Sequence, residues 1–167
     1  MNMKNPFKAV GIFIALLPFS GGCDLREVPN FEPQFVNIRF HYGFRNDVNT
    51  FNMTLTKDLV LDGTITVPFS LSSTDQERVL AELARADFFN LPDTLKPEPD
   101  VFISPDPGPQ LLSVLADGRT KTVVWSFLLD ESNPNNAAIL KLSAALTKIV
   151  ESTEAFKQLP DARGGYL

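Results

Sequence analysis

Phe35-Val36-Asn37-Ile38-Arg39-Phe40-His41-Tyr42-Gly43-Phe44 alternates apolar and polar residues along its length. Val36, Ile38, Phe40, Tyr42 and Phe44 share one face, and Asn37, Arg39 and His41 share the other. Successive side chains of a strand point to opposite faces, so this pattern predicts a strand with one side in a core and the other toward water. Such a strand needs neighbours, and antiparallel sheets are the ones that leave a face solvated.

The neighbours follow. Phe51, Met53 and Leu55 alternate with Asn52, Thr54 and Thr56, which predicts a second strand, and Arg45-Asn46-Asp47 marks the stretch between as a turn. After the turn signal Asp62-Gly63, the residues Ile65, Val67, Phe69 and Leu71 alternate with Thr64, Thr66, Pro68 and Ser70. Proline cannot donate to a ladder, so Pro68 places this third strand at an edge. Ser72-Ser73-Thr74-Asp75-Gln76-Glu77 then opens a helix, with Ser73 and Gln76 or Thr74 and Glu77 as a capping box. Its apolar stripe is Val79, Leu80, Leu83, Ala84 and Phe88, and Pro92 ends the segment.

Residues 92–109 hold six prolines, which excludes regular helix. Asp117-Gly118 joins Leu111–Ala116 to Arg119–Leu128 as a hairpin, with Val123, Trp125 and Phe127 predicted to face the core. Asn133-Pro134 supplies a cap and a first-turn proline for a second helix, whose Ile139, Leu142, Leu146, Ile149 and Val150 recur at helical spacing. A short helical turn is expected at 153–158 and a frayed end at 161–167. The pattern predicts an α+β domain over 34–160 in the order βββαββα: an antiparallel sheet of about five strands with two main helices packed on one face. Asn37, Arg39, His41, Thr54, Thr64 and Thr66 are predicted to line the open face.

Upstream, Lys4 and Lys8 precede an uncharged apolar run from Ala9 to Phe19, and Ser20-Gly21-Gly22 leads into Cys23, the only cysteine. Basic, apolar and small segments in that order are the layout of a secretory signal. The run is too short for a spanning helix, which needs roughly 20 residues. Ser20-Gly21-Gly22-Cys23 resembles the lipobox of bacterial lipoproteins, in which a signal peptidase cuts before a cysteine that then carries lipid. The resemblance implies a signal peptide over 1–22, cleavage between Gly22 and Cys23, acyl chains such as palmitate on Cys23, and a tether over 23–33. The family usually has Leu three residues before the cysteine, where this chain has Ser20. Ser20 and Gly22 also satisfy an ordinary signal peptidase, which would release a secreted protein with an unmodified Cys23. A free thiol in an oxidising compartment is a liability, which favours the lipidated form. Parts of 49–93, including Asn49-Thr50-Phe51 and Asp87-Phe88-Phe89-Asn90-Leu91-Pro92, also resemble a group of uncharacterised bacterial lipoproteins. That likeness implies export and brings no activity with it.

All 20 acidic residues follow Cys23, while two of the 15 basic ones precede it, so cleavage leaves a net charge of −7. Such a chain gains no electrostatic attraction to anionic lipid or to nucleic-acid phosphate. Membrane attachment would come from the lipid alone, at about 0.8 kcal/mol per buried methylene. Without a second cysteine the mature chain has no internal disulfide.

His41 is the only histidine, so a Ser-His or Cys-His catalytic set would have to use it. No Gly-x-Ser-x-Gly elbow occurs, and Arg39 on the same face disfavours a charged imidazole. One histidine is too few for a zinc or copper site. Asp93, Glu98, Asp100 and Asp106 read as a solvated acidic loop rather than a calcium site. Glycine loops for phosphate or dinucleotide are missing, as are basic clusters with aromatics, so the reading includes no cofactor, no metal and no nucleic acid. Val101-Phe102-Ile103 is an apolar triplet inside the proline-rich stretch: a short edge strand, a plug beneath the loop, or a contact patch. The sequence therefore predicts an exported, lipid-anchored protein of the cell envelope, facing the periplasm or the exterior. Its domain is expected to be non-enzymatic, binding an envelope protein or small ligand, with Arg39, His41 and Phe102 as the candidate surface. A hydrolase using carboxylates of the loop is the alternative.

Overall fold

The alternating stretch becomes the middle of a sheet. The computed structural model describes residues 35–97 and 104–166. The strands are β1 (Val36–Tyr42), β2 (Asn46–Asn49), β3 (Thr54–Val60), β4 (Gly63–Pro68), β5 (Thr94–Leu95), β6 (Gln110–Ala116) and β7 (Arg119–Trp125). The helices are α1 (Ser73–Arg85), between β4 and β5, then α2 (Pro134–Glu151) and the single turn α3 (Glu154–Lys157). In the sheet the order is β4-β3-β2-β1-β6-β7-β5. Neighbours are antiparallel except β5, which runs parallel to β7. The fold is α+β, seven strands with two main helices, in the order ββββαβββα.

The two strands beyond the expected five are the short ones. β2 lies inside the stretch read as a turn. Gly43 at φ +63° lets the chain reverse within three residues, and Asn46–Asn49 then pairs back on β1. Only Val48 of β2 is apolar, and it is fully buried, so there was no alternation to detect. The alternation starting at Phe51 runs three residues ahead of the strand. Phe51 and Met53 are exposed in the connection, with Met53 at φ +54°, and β3 begins at Thr54. The hairpin's core face stops at Trp125, where β7 ends; Phe127 is 47% exposed. Pro68 is the last residue of β4, the edge strand.

The cap of α1 is Ser72, one residue earlier than the expected boxes. Its Oγ accepts from Asp75 N at 3.1 Å and donates to Asp75 Oδ2 at 2.6 Å. Either choice satisfies an orphan amide of the first turn. At α2, Asn133 caps and Pro134 takes the first turn, as the sequence predicts.

One core joins sheet and helices. Ile38, Phe40, Val48, Leu55, Leu112, Val114, Val123 and Trp125 come from the strands; Val79, Leu83, Ile139, Leu142, Leu146 and Val150 come from α1 and α2. Each fully buried side chain of this size contributes about 1.5–3 kcal/mol. The opposite residues of β1, β6 and β7 are half-buried or exposed, so the sheet keeps a free face. Toward the C-terminus, where fraying was expected, the chain is anchored at the β3–β4 turn. Arg163 N donates to Leu59 O at 3.3 Å, its guanidinium grips Asp62, and Tyr166 stacks on Phe44 while donating to Asp58 Oδ2 at 2.6 Å.

Candidate functional site

Register turns the free face into rows. One row reads Thr66, Thr56, Asp47, His41, Leu111, Val124 across β4, β3, β2, β1, β6 and β7. The next reads Pro68, Thr54, Asn49, Arg39, Ser113, Thr122. Directly opposite residues on one face interact, and here the hydroxyls pair: Thr56 with Thr66 at 2.8 Å, Ser113 with Thr122 at 2.7 Å. Asn37, Arg39, His41, Thr54, Thr64 and Thr66 all fall on this face.

Asp47 sits between Arg39 and His41. Arg39 Nε donates to Asp47 Oδ2 at 3.3 Å, and His41 Nδ1 lies 3.7 Å from the same oxygen, too far for a hydrogen bond. The carboxylate therefore joins what reads in the sequence as an Arg–His pair alone. Nothing in the sequence pattern exposed it, because its placement depends on the β1–β2 register.

Arg39 and His41 rim a shallow depression of about 320 Å³ whose other lining residues are Pro107, Pro109, Leu111 and Val124. A second hollow of about 350 Å³, reached across the shared Pro109 and Val124, extends to Lys96, Pro97, Asp106 and Trp125. The open sheet face and the described ends of the proline-rich stretch thus meet at one place. Gln110 holds them there. Its side chain is buried, and its Nε2 donates to Gly43 O at 3.1 Å and Gly108 O at 3.2 Å, tying the loop's end to the β1–β2 turn. Asp106 Oδ1 accepts from Gly108 N at 2.8 Å and rigidifies the same corner.

The chemistry available is a floor of apolar side chains, walls of proline, and a guanidinium and an imidazole at the rim. In the first depression Pro107, Pro109, Leu111 and Val124 supply no nucleophile and no acid, while the second hollow adds Thr94, Lys96, Asp106 and Ser126. Of the loop carboxylates, Asp93 is bonded to Lys121 at 2.6 Å and Asp106 to its own turn. Glu98, Asp100 and Phe102 lie outside the described residues, as do Gly22 and Cys23. Among the described residues no three His, Cys, Asp or Glu side chains are grouped to hold a metal. No helix among them is long and apolar enough to cross a membrane. No protein-family model matches the chain, and no curated protein is significantly similar to it.

On the covered face, one polar atom is left over. The Tyr42 hydroxyl is buried with no hydrogen-bond partner among the described residues, and its ring stacks on Phe40 at 4.6 Å. Burial first, and then the charge of Glu151, push its pKa well above the ordinary tyrosine range.

Proposed function

We propose that this chain is an exported protein held to the envelope by lipid on Cys23, and that its domain binds a partner rather than catalysing a reaction. The observation that carries the binding reading is the single depression shared by Arg39, His41, Pro107 and Pro109. It is shallow, apolar at its floor and cationic at its rim, which suits an envelope ligand with an apolar or planar body and an acceptor group at one side. Arg39 presents a planar fork of N–H donors that can turn from Asp47 to a ligand. Export is supported by the leader, from Lys4 through Cys23.

Two measurements test the two halves. Mass spectrometry of the mature N-terminus from the native host should find acyl chains on Cys23; an unmodified thiol there removes the anchor. The purified domain and its Arg39→Ala/His41→Ala variant are then compared for capture of envelope components. The expected result is a component retained by the parent and lost with the pair. Equal retention rules out the depression as the site.

A further inference from the structure

β7 has a neighbour along only part of its outer side. β5 lies opposite Val124 and Trp125, and Arg119–Val123 have no strand beside them there among the described residues. The ladder shows which backbone groups are free. Val124 N donates to Asp93 O at 2.9 Å and Ser126 N to Leu95 O at 3.2 Å, both away from β6. Orientation alternates along an antiparallel strand, so Thr122 and Thr120 also turn N–H and C=O to the outer side, beyond the reach of β5. The 2.7 Å contact of Thr122 with Ser113 fits this, because side chains approach most closely at pairs whose backbones do not bond each other.

There is room beside this edge and charge along it. A depression of about 390 Å³ is lined by Phe89, Asp93, Arg119, Thr120, Lys121 and Thr122. The Arg119 guanidinium lies 4.2 Å over the Phe89 ring and meets no carboxylate among the described residues. Lys121 Nζ is bonded to Asp93 at 2.6 Å. Arg119 and Lys121 share one face of β7, two residues apart. A second copy of the chain pairing edge to edge would bring these cations against their own counterparts, an arrangement that like charges oppose. A partner strand with carboxylates at alternate positions meets them favourably.

We propose that the outer edge of β7 takes an extended acidic segment of a partner protein by strand addition. Thr120 and Thr122 would supply the backbone ladder, and Arg119 and Lys121 the charge. This site is separate from the depression at Arg39 and stands or falls without it.

The test uses the protein with two labelled heptapeptides, one alternating Glu and Val, the other Lys and Val. By fluorescence anisotropy the Glu/Val peptide should bind at least tenfold more tightly, although the protein's net charge of −5 works against it. Its addition should slow hydrogen exchange at the Thr120 and Thr122 amides. Arg119→Glu with Lys121→Glu should reverse the preference between peptides. Thr122→Pro removes an outward donor, along with the hydroxyl contact to Ser113, and should abolish binding; if that variant fails to fold, the charge reversal decides. Equal affinity for both peptides, binding of neither, or unchanged exchange at Thr120 and Thr122 overturns the proposal. So does self-association through β7 without peptide, seen by sedimentation.

Discussion

The two faces of the sheet obey different rules, and β1 carries both. Ile38 and Phe40 on its covered side are fully buried, while Asn37, Arg39 and His41 on the other side meet hydroxyls, a carboxylate and solvent. Covered positions are fixed by volume and by the absence of water. Open positions are fixed only by which residue happens to lie opposite. One face therefore stores stability, and the other is free to hold recognition chemistry at small cost to the fold.

The sharpest way to break this contrast is Phe40→Ala, expected to cost about 3–5 kcal/mol in urea unfolding, as for other large core truncations. A loss near zero would mean that the covered face is not the core. Next comes Gln110→Ala, which strips two carbonyls of their donor; a loss of about 1–3 kcal/mol and faster proteolysis at 104–109 are expected. Tyr42→Phe should act the other way, gaining about 1 kcal/mol by removing a buried hydroxyl that has no partner among the described residues. The sign with pH follows. The folded state holds the Tyr42 proton above the ordinary pKa of 10.0, so stability present below that value falls as pH rises beyond it. Tyr42→Phe should flatten that alkaline decline in thermal unfolding. Smallest is Arg39→Ala with His41→Ala, expected to shift stability by no more than about 0.5 kcal/mol, as surface substitutions do. A loss above 2 kcal/mol would make this pair structural and erase the distinction between faces.

Much of the covered face was legible. Val36, Ile38, Phe40 and Tyr42 announced β1, and Ile139, Leu142, Leu146, Ile149 and Val150 announced α2, because burial imposes a period on the sequence. Short elements escaped for the same reason. Asn46–Asn49 has one apolar residue and Thr94–Leu95 is too brief to show a period, yet both pair through backbone groups common to every residue. Phe51 and Met53 misled because an exposed connection happened to alternate. Of the candidate site, Arg39 and His41 were readable as a polar face. Asp47, Pro107, Pro109 and Leu111 were not, since only the register and the loop's path bring them beside the pair. Gln110 gave no signal either: a buried amide bonded to two carbonyls looks in sequence like any polar residue at a strand's start.

β1 is also the first element among the described residues, and it lies in the middle of the sheet. Val36 faces Ala116 of β6, whose ladder runs from Val36 to His41, and β2 joins on the other side from Arg39 to Tyr42. Ladder bonds lie across the strands, so tension applied lengthwise at Val36 is shared by many bonds at once rather than peeling them singly. A domain hung from its N-terminal end would thus resist mechanical drag by shear, with a central strand paired on both sides serving as the suspension point.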